Sequence, residues 1–201
     1  ISQVRAALND APHLNSATIE RMVNRELKKT LCDVDLLQAL ANALIALLPL
    51  STRAIERLLS AANPRCVYEL HFSLFGALSK AYFNDLEQDG IEYLLMTYLS
   101  EVRSTSSYAA WKAGLLLGED WRSPRSEALL IRLMMSAKFP AGRMGAINGY
   151  RFVIERRKTF TTEELSPLRA VAKSDKSAKV RQDAKFHLAR LRKMAIVRTS
   201  K

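Results

Sequence analysis

Cysteine is nearly missing from this sequence, with Cys32 and Cys66 the only two in 201 residues. Two isolated thiols supply neither a disulfide framework nor metal-ligand spacing, so a reducing, cytoplasmic setting is the expectation. Glycine and proline are also sparse, at 7 and 6, and with 48% hydrophobic and 25% charged residues the composition is globular, so a disordered protein is not expected. Val/Thr alternation of the kind that marks strands is almost absent, while Leu, Ala, Arg, Lys and Glu, all good helix formers, dominate. Long apolar runs are missing too. The stretch from Ala39 to Leu50 is interrupted by Asn42 and Pro49 and is far short of the roughly 20 residues that cross a bilayer. No membrane partner and no signal peptide are therefore expected. The chain begins at Ile1, which reads as a processed or trimmed product.

Negative charge is scarce in one place only. Residues 1–141 hold 15 basic and 15 acidic side chains, whereas residues 142–201 hold 16 basic and 5 acidic, so the whole net charge of +11 lies in the last 60 residues. Such asymmetry points to a polyanionic partner: nucleic acid, an acidic protein surface or a phosphorylated ligand.

What the chain does have is a repeat. Ile55-Glu56-Arg57-Leu58-Leu59 returns 36 residues later as Ile91-Glu92-Tyr93-Leu94-Leu95, and the register continues through Leu130 and Leu168. A second series, Ser107/Ala110/Gly114/Leu117, recurs as Arg143/Ala146/Tyr150/Val153 and Arg181/Ala184/Leu188/Leu191. Periods of this length mean stacked helical pairs, because one pair cannot bury its apolar face alone. Proline and small polar residues set the expected limits. Ser16 opens a helix to Lys29, and Asp33 or Asp35 opens the next. Ser123-Pro124 starts another, Thr161-x-x-Glu164 is a capping box, and a last helix spans Ser177 to Met194, with a frayed tail from Val197. An earlier helix over Ser2 to Asn9 and repeat helices over 51–62, 66–82 and 88–102 complete the reading.

The pattern resembles HEAT repeats. The last unit carries the likeness best, with Asp175, Val180-Arg181, Ala184 and Leu188. The resemblance implies a right-handed α-α superhelix, a HEAT-like helical hairpin solenoid. About four and a half units would fill residues 35–201 as one continuous domain after N-terminal helices in 1–34. It also implies that Asp175 and Arg181 belong to a structural ladder between neighbouring repeats.

Candidate chemistry is thin. Asp85-x-Glu87-x-Asp89-Gly90 opens like a calcium loop, but the twelfth position, which needs a bidentate acid, is Met96, so an acidic inter-helix turn is expected instead. Gly142, Gly145 and Gly149 match no phosphate-loop spacing. Gly145 and Gly149 lie four apart and predict a smooth face for close helix packing. His13, His71 and His187 have no partner at metal spacing, and no nucleophile motif is present. Trp111 is expected in the core. Trp121, in a turn after Glu119-Asp120, is a candidate contact anchor.

The basic region gives the clearest candidate surface. Arg143, Arg151, Arg156, Arg157 and Lys158 are interleaved with Tyr150 and Phe152. On the last helix Arg181, Lys185 and Arg192 share one flank, and Lys179, Arg190 and Lys193 lie on another with Phe186. The reading is a non-catalytic protein-protein interaction scaffold or adaptor without cofactor or metal. It would bind an acidic partner through Arg143, Arg151, Arg156, Arg157, Lys158, Lys185, Arg192 and Lys193, with Trp121 and Phe186 as aromatic contacts. The alternative is a nucleic-acid-binding HEAT-like protein, in its sharpest form a DNA glycosylase acting on alkylated bases, for which Asp120 and Trp121 are the only neighbouring pair of suitable types.

Overall fold

A computed structural model of the chain describes residues 15–29, 33–47, 55, 74–79, 88–102, 107–119, 124–157 and 159–199. The expected helix over 2–9, that over 51–62 apart from buried, helical Ile55, and Cys32, Cys66, His13, His71, Asp85, Glu87, Asp120, Trp121 and Lys158 lie outside these. The described residues are all-helical, without a strand. We number the helices α1 (Ser16–Leu27), α2 (Val34–Ile45), α3 (Gln88–Glu101), α4 (Ser107–Glu119), α5 (Pro124–Ser136), α6 (Pro140–Arg156), α7 (Ser166–Ser174) and α8 (Ala178–Thr199). A 3-10 turn, Glu163–Leu165, precedes α7. Among the described residues no helix is long and apolar enough to cross a membrane. The chain divides into two compact units, Ile1–Leu94 and Leu95–Lys201.

In the first unit α1 packs on α2. The α1 cap is Asn15, whose side chain accepts from the Thr18 N–H at 2.9 Å, so Ser16 is the first helical residue and not the cap. Asp33 caps α2 by accepting from the Leu36 N–H. Buried Glu26 accepts from the Asp33 N–H at 2.7 Å, which ties the end of α1 to the start of α2. Leu37, Leu40 and Leu44 of α2 are fully buried.

In the second unit α4, α6 and α8 lie side by side, since α6 packs on both of the others. The intervening helices form a second layer: α5 rests on α6, and α7 rests on α8. The recurring positions turn inward. Ala110, Ala146 and Ala184 are buried, and so are Leu117, Val153 and Leu191. Asp89 and Gly90 fall in the first turn of α3 and not in a loop, a correction that follows from the helix starting at Gln88.

Glycine explains the closest contact. Helix α6 contains Gly142, Gly145 and Gly149, each of which disfavours a helix by about 1 kcal/mol relative to Ala. Their value is approach. A Cβ at Gly145 would sit 2.3 Å from the Ala110 carbonyl oxygen, one at Gly149 2.2 Å from that of Gly114, and one at Gly114 1.8 Å from that of Gly145. The two helices therefore touch backbone to backbone, and any larger residue would force them apart.

Within the second unit, two arginines tie α6 and α8 to the residues that precede them. Arg143 donates to the carbonyl of Ala137 at 2.7 Å, and Arg181 donates to the carbonyl of Asp175 at 2.6 Å. Both bonds span six residues, and the two arginines occupy the same register 38 residues apart. The second link has a carboxylate where the first has a methyl group. The Asp175 side chain accepts from Arg143 Nε at 2.7 Å and Nη2 at 3.2 Å, and from the Ser177 N–H at 2.7 Å. The carboxylate thus bonds Arg143 on α6, while Arg181 bonds the main chain of Asp175.

Candidate binding surface on the last two helices

Residues 159–199 make one helical hairpin. At its entry the Thr161 N–H donates to Glu164 Oε2 at 2.6 Å, and the Glu164 N–H returns a longer bond to Thr161 Oγ1 at 3.4 Å, the reciprocal pattern of a capping box. Pro167 then sits in the first turn of α7, where its missing N–H costs no helical bond. At the exit α8 runs on to Thr199 instead of fraying at Val197.

The hairpin presents two charged flanks. On one, an open groove of about 440 Å³ is lined by Arg169, Ala172 and Lys173 of α7 and by Arg181, Lys185 and Leu188 of α8. Four of these six side chains are cationic and none is acidic. The two acids nearest in sequence are turned elsewhere: Asp175 is buried against Arg143, and Asp183 lies beside His187. Lys173 and Lys185 are exposed and in no ion pair with a described residue, while the Arg169 guanidinium donates to the Thr162 carbonyl.

The other flank faces α6. Arg151, only 8% exposed, donates to Glu155 and to the Asn148 side-chain oxygen, and Asn148 donates to the Trp111 carbonyl on α4. Arg190 Nε lies 2.6 Å from the other Glu155 oxygen. His187 Nε2 is 3.6 Å from Asp183 Oδ1, and its buried Nδ1 has no hydrogen-bond partner among the described residues. Burial pushes Asp183 up to about 6, partly opposed by Lys179 and Arg151. Burial, then Arg151 and Arg190, pulls His187 down to about 4. Burial also lowers Arg151, though Glu155 works against it.

A third cluster joins α5, α6 and the 3-10 turn. Arg157 pairs with both Glu127 and Glu164. Burial disfavours its charge, but the two carboxylates more than offset this and raise it above the usual value. Tyr150 donates its hydroxyl to the Glu164 carbonyl, and burial with Glu127 nearby pushes it up to about 12.

The cations singled out from sequence therefore do not form one patch. Arg143 (2% exposed) and Arg151 are interior residues, and Arg157 is held between two acids: Arg143 and Arg157 meet carboxylates on neighbouring elements, and Arg151 meets Glu155 one turn along its own helix. Expected as exposed contact residues, Arg143 and Arg151 are instead buried, and Arg157 is half-buried in ion pairs. Arg156 is exposed and stacks over the Phe152 ring at 5.1 Å. Lys185, Arg192 and Lys193 are exposed, with Arg192 on the groove side of α8 and Lys193 on another flank. Phe186 is 64% exposed, and Trp111, expected in the core, is 38% exposed with Lys112 over its ring. Arg169 and Lys173 were not singled out. On their own helix they are merely two cations four residues apart, and only the pairing with α8 gives them a common purpose. Among the described residues no group of His, Cys, Asp and Glu could hold a metal ion.

Among the described residues, fold and surface define an all-helical protein with a cationic groove, free of acidic lining, at its C-terminal hairpin. Set against protein-family models, curated proteins and solved structures, the chain matches none of them.

Proposed function

We propose that this chain is a HEAT-like helical-repeat protein that works without catalysis, as a scaffold or adaptor binding an acidic macromolecular partner through its C-terminal helices. The repeat reading is supported by contacts that recur at the period of the sequence. Arg132 meets Met96, Lys138 meets Glu101, Asn148 meets Trp111 and Arg190 meets Glu155 at separations of 35 to 37 residues. Side-by-side placement of α4, α6 and α8, with α5 and α7 behind, is how helical hairpins stack into a superhelix.

The observation that carries the binding reading is the groove with four cations and no acid. Uncompensated like charges in one place repel each other, and a polyanion relieves that repulsion while being steered to the site from a distance. The test is binding of an acidic protein, and of labelled duplex and single-stranded DNA, at low and moderate salt. Saturable binding of the acidic protein that weakens with salt is the expected result, and no binding to any polyanion at low salt would end this reading.

Nucleic acid is the second reading. The exposed Phe186 lies on a flank with Lys179, Arg190 and Lys193, and an aromatic among cations suits a stacked base. DNA binding with a steep salt slope and no binding of the acidic protein would favour it.

A further inference from the structure

We infer that the groove between α7 and α8 receives an extended acidic segment of a protein partner, with carboxylates at alternate residues. The inference rests on the binding reading above and gives it an occupant. The cations come as two pairs, Arg169 with Lys173 on α7 and Arg181 with Lys185 on α8. Within each pair the residues are four apart, a rise of about 6 Å along a helix. An extended chain places every second side chain on one face, about 6.6 Å apart. Alternating carboxylates on one such chain therefore keep step with successive cations along the groove.

The donors are partly set in advance. Arg181 is anchored to the Asp175 carbonyl and Arg169 to the Thr162 carbonyl. A guanidinium has five N–H groups, so each arginine retains donors for a carboxylate while its side chain is already ordered, which lowers the entropy cost of binding. The two lysines add mobile charge at the rim. Between the cations lie Ala172 and Leu188, both nearly buried, so the floor is apolar and suits the small or apolar residues between the acids. The lining holds no aromatic ring, whereas sites for single-stranded nucleic acid combine cations with rings on which bases stack. The groove thus favours a peptide over a nucleic-acid strand, and Phe186, the nearby exposed ring, projects from a different flank of α8.

The test is fluorescence anisotropy with the full chain at low ionic strength. The probes are a capped peptide alternating Glu and Ala, a peptide of the same composition with its Glu residues in one block, and labelled oligo-dT. The variants are the double Lys173→Glu/Lys185→Glu in the groove and Lys193→Glu, a surface reversal elsewhere on α8. Melting curves establish that all remain folded. The expected result is that the alternating peptide binds best, that the double variant weakens it about ten-fold or more, and that Lys193→Glu weakens it less than about two-fold. Equal loss in Lys193→Glu, or undiminished binding in the double variant, would place the contact elsewhere and overturn the groove while leaving an acid-binding surface intact. Equal binding of the blocked peptide would overturn the alternating register, and tighter binding of oligo-dT lost in the double variant would replace the peptide with nucleic acid. Binding of none of the probes, together with none of the acidic protein, would remove the parent reading as well.

Discussion

The two flanks of α8 carry similar numbers of basic residues and have opposite electrostatic lives. Toward α6, Arg190 meets Glu155, Asp183 lies near Arg151, and the charges are largely satisfied inside the protein. Toward α7, Arg181 and Lys185 meet Arg169 and Lys173, and no acid intervenes. Cation density is therefore a poor guide to a binding surface. What matters is whether the facing element brings a carboxylate, because a paired charge is part of the packing and an unpaired one is available to a partner.

That contrast is open to challenge at its strongest point. Glu155→Ala would remove the carboxylate that buried Arg151 bonds and strip Arg190 of its pair. The expected loss is about 3–5 kcal/mol, read as a melting temperature lower by roughly 10 °C. A shift of only a degree or two would mean that the inner flank is not held by its charges.

The same flank makes a smaller, pH-dependent prediction. With Asp183 raised to about 6, the folded state holds a proton there that the unfolded chain releases nearer its ordinary value, so this group lowers stability as pH rises from about 4 to 6. With His187 lowered to about 4, the unfolded chain takes up a proton that the folded state refuses, so this group lowers stability as pH falls from about 6.5 to 4. The two oppose each other across nearly the same window. His187→Asn removes the second effect, so denaturant titrations of that variant at pH 4 and pH 6 should show a larger fall in stability with rising pH than wild type does. An unchanged difference between the two pH values would mean that His187 is not held neutral by the fold.

The smallest effect belongs to the groove. Because Lys173 and Lys185 are exposed and have no acid to lose, reversing both should move stability by no more than about 0.5 kcal/mol. A loss comparable to that of Glu155→Ala would show that the groove cations support the fold after all.

Much of the architecture can be read from residue order. Helix-forming composition and the recurring Ala110, Ala146 and Ala184 lead to buried helix faces, and Gly145 and Gly149 lead to a close crossing. These inferences succeed because helix periodicity and side-chain size act locally. The flank formed by Arg181, Lys185 and Arg192 is legible for the same reason. Less legible is the fate of each charge. Arg143 and Arg157 look like surface cations until Asp175, Glu127 and Glu164 arrive from other elements, and Arg151, paired with Glu155 one turn along its own helix, is buried only because α4 and α8 pack over it. The Asp175 carboxylate was expected to work with Arg181, six residues away, yet it bonds Arg143, 32 residues away. Trp111 was misjudged because a helix interior in sequence is not an interior in space.

By itself, then, the amino-acid order determined that this protein is helical among its described residues, which helix faces are apolar, where the crossing can be close, and that its excess positive charge lies in the last 60 residues. Only the tertiary structure decided which of those cations are neutralised inside and which line an open groove. The physical reason is range. Helix formation and amphipathicity depend on neighbours within a turn or two, whereas pairing of charges depends on which distant element folds against them.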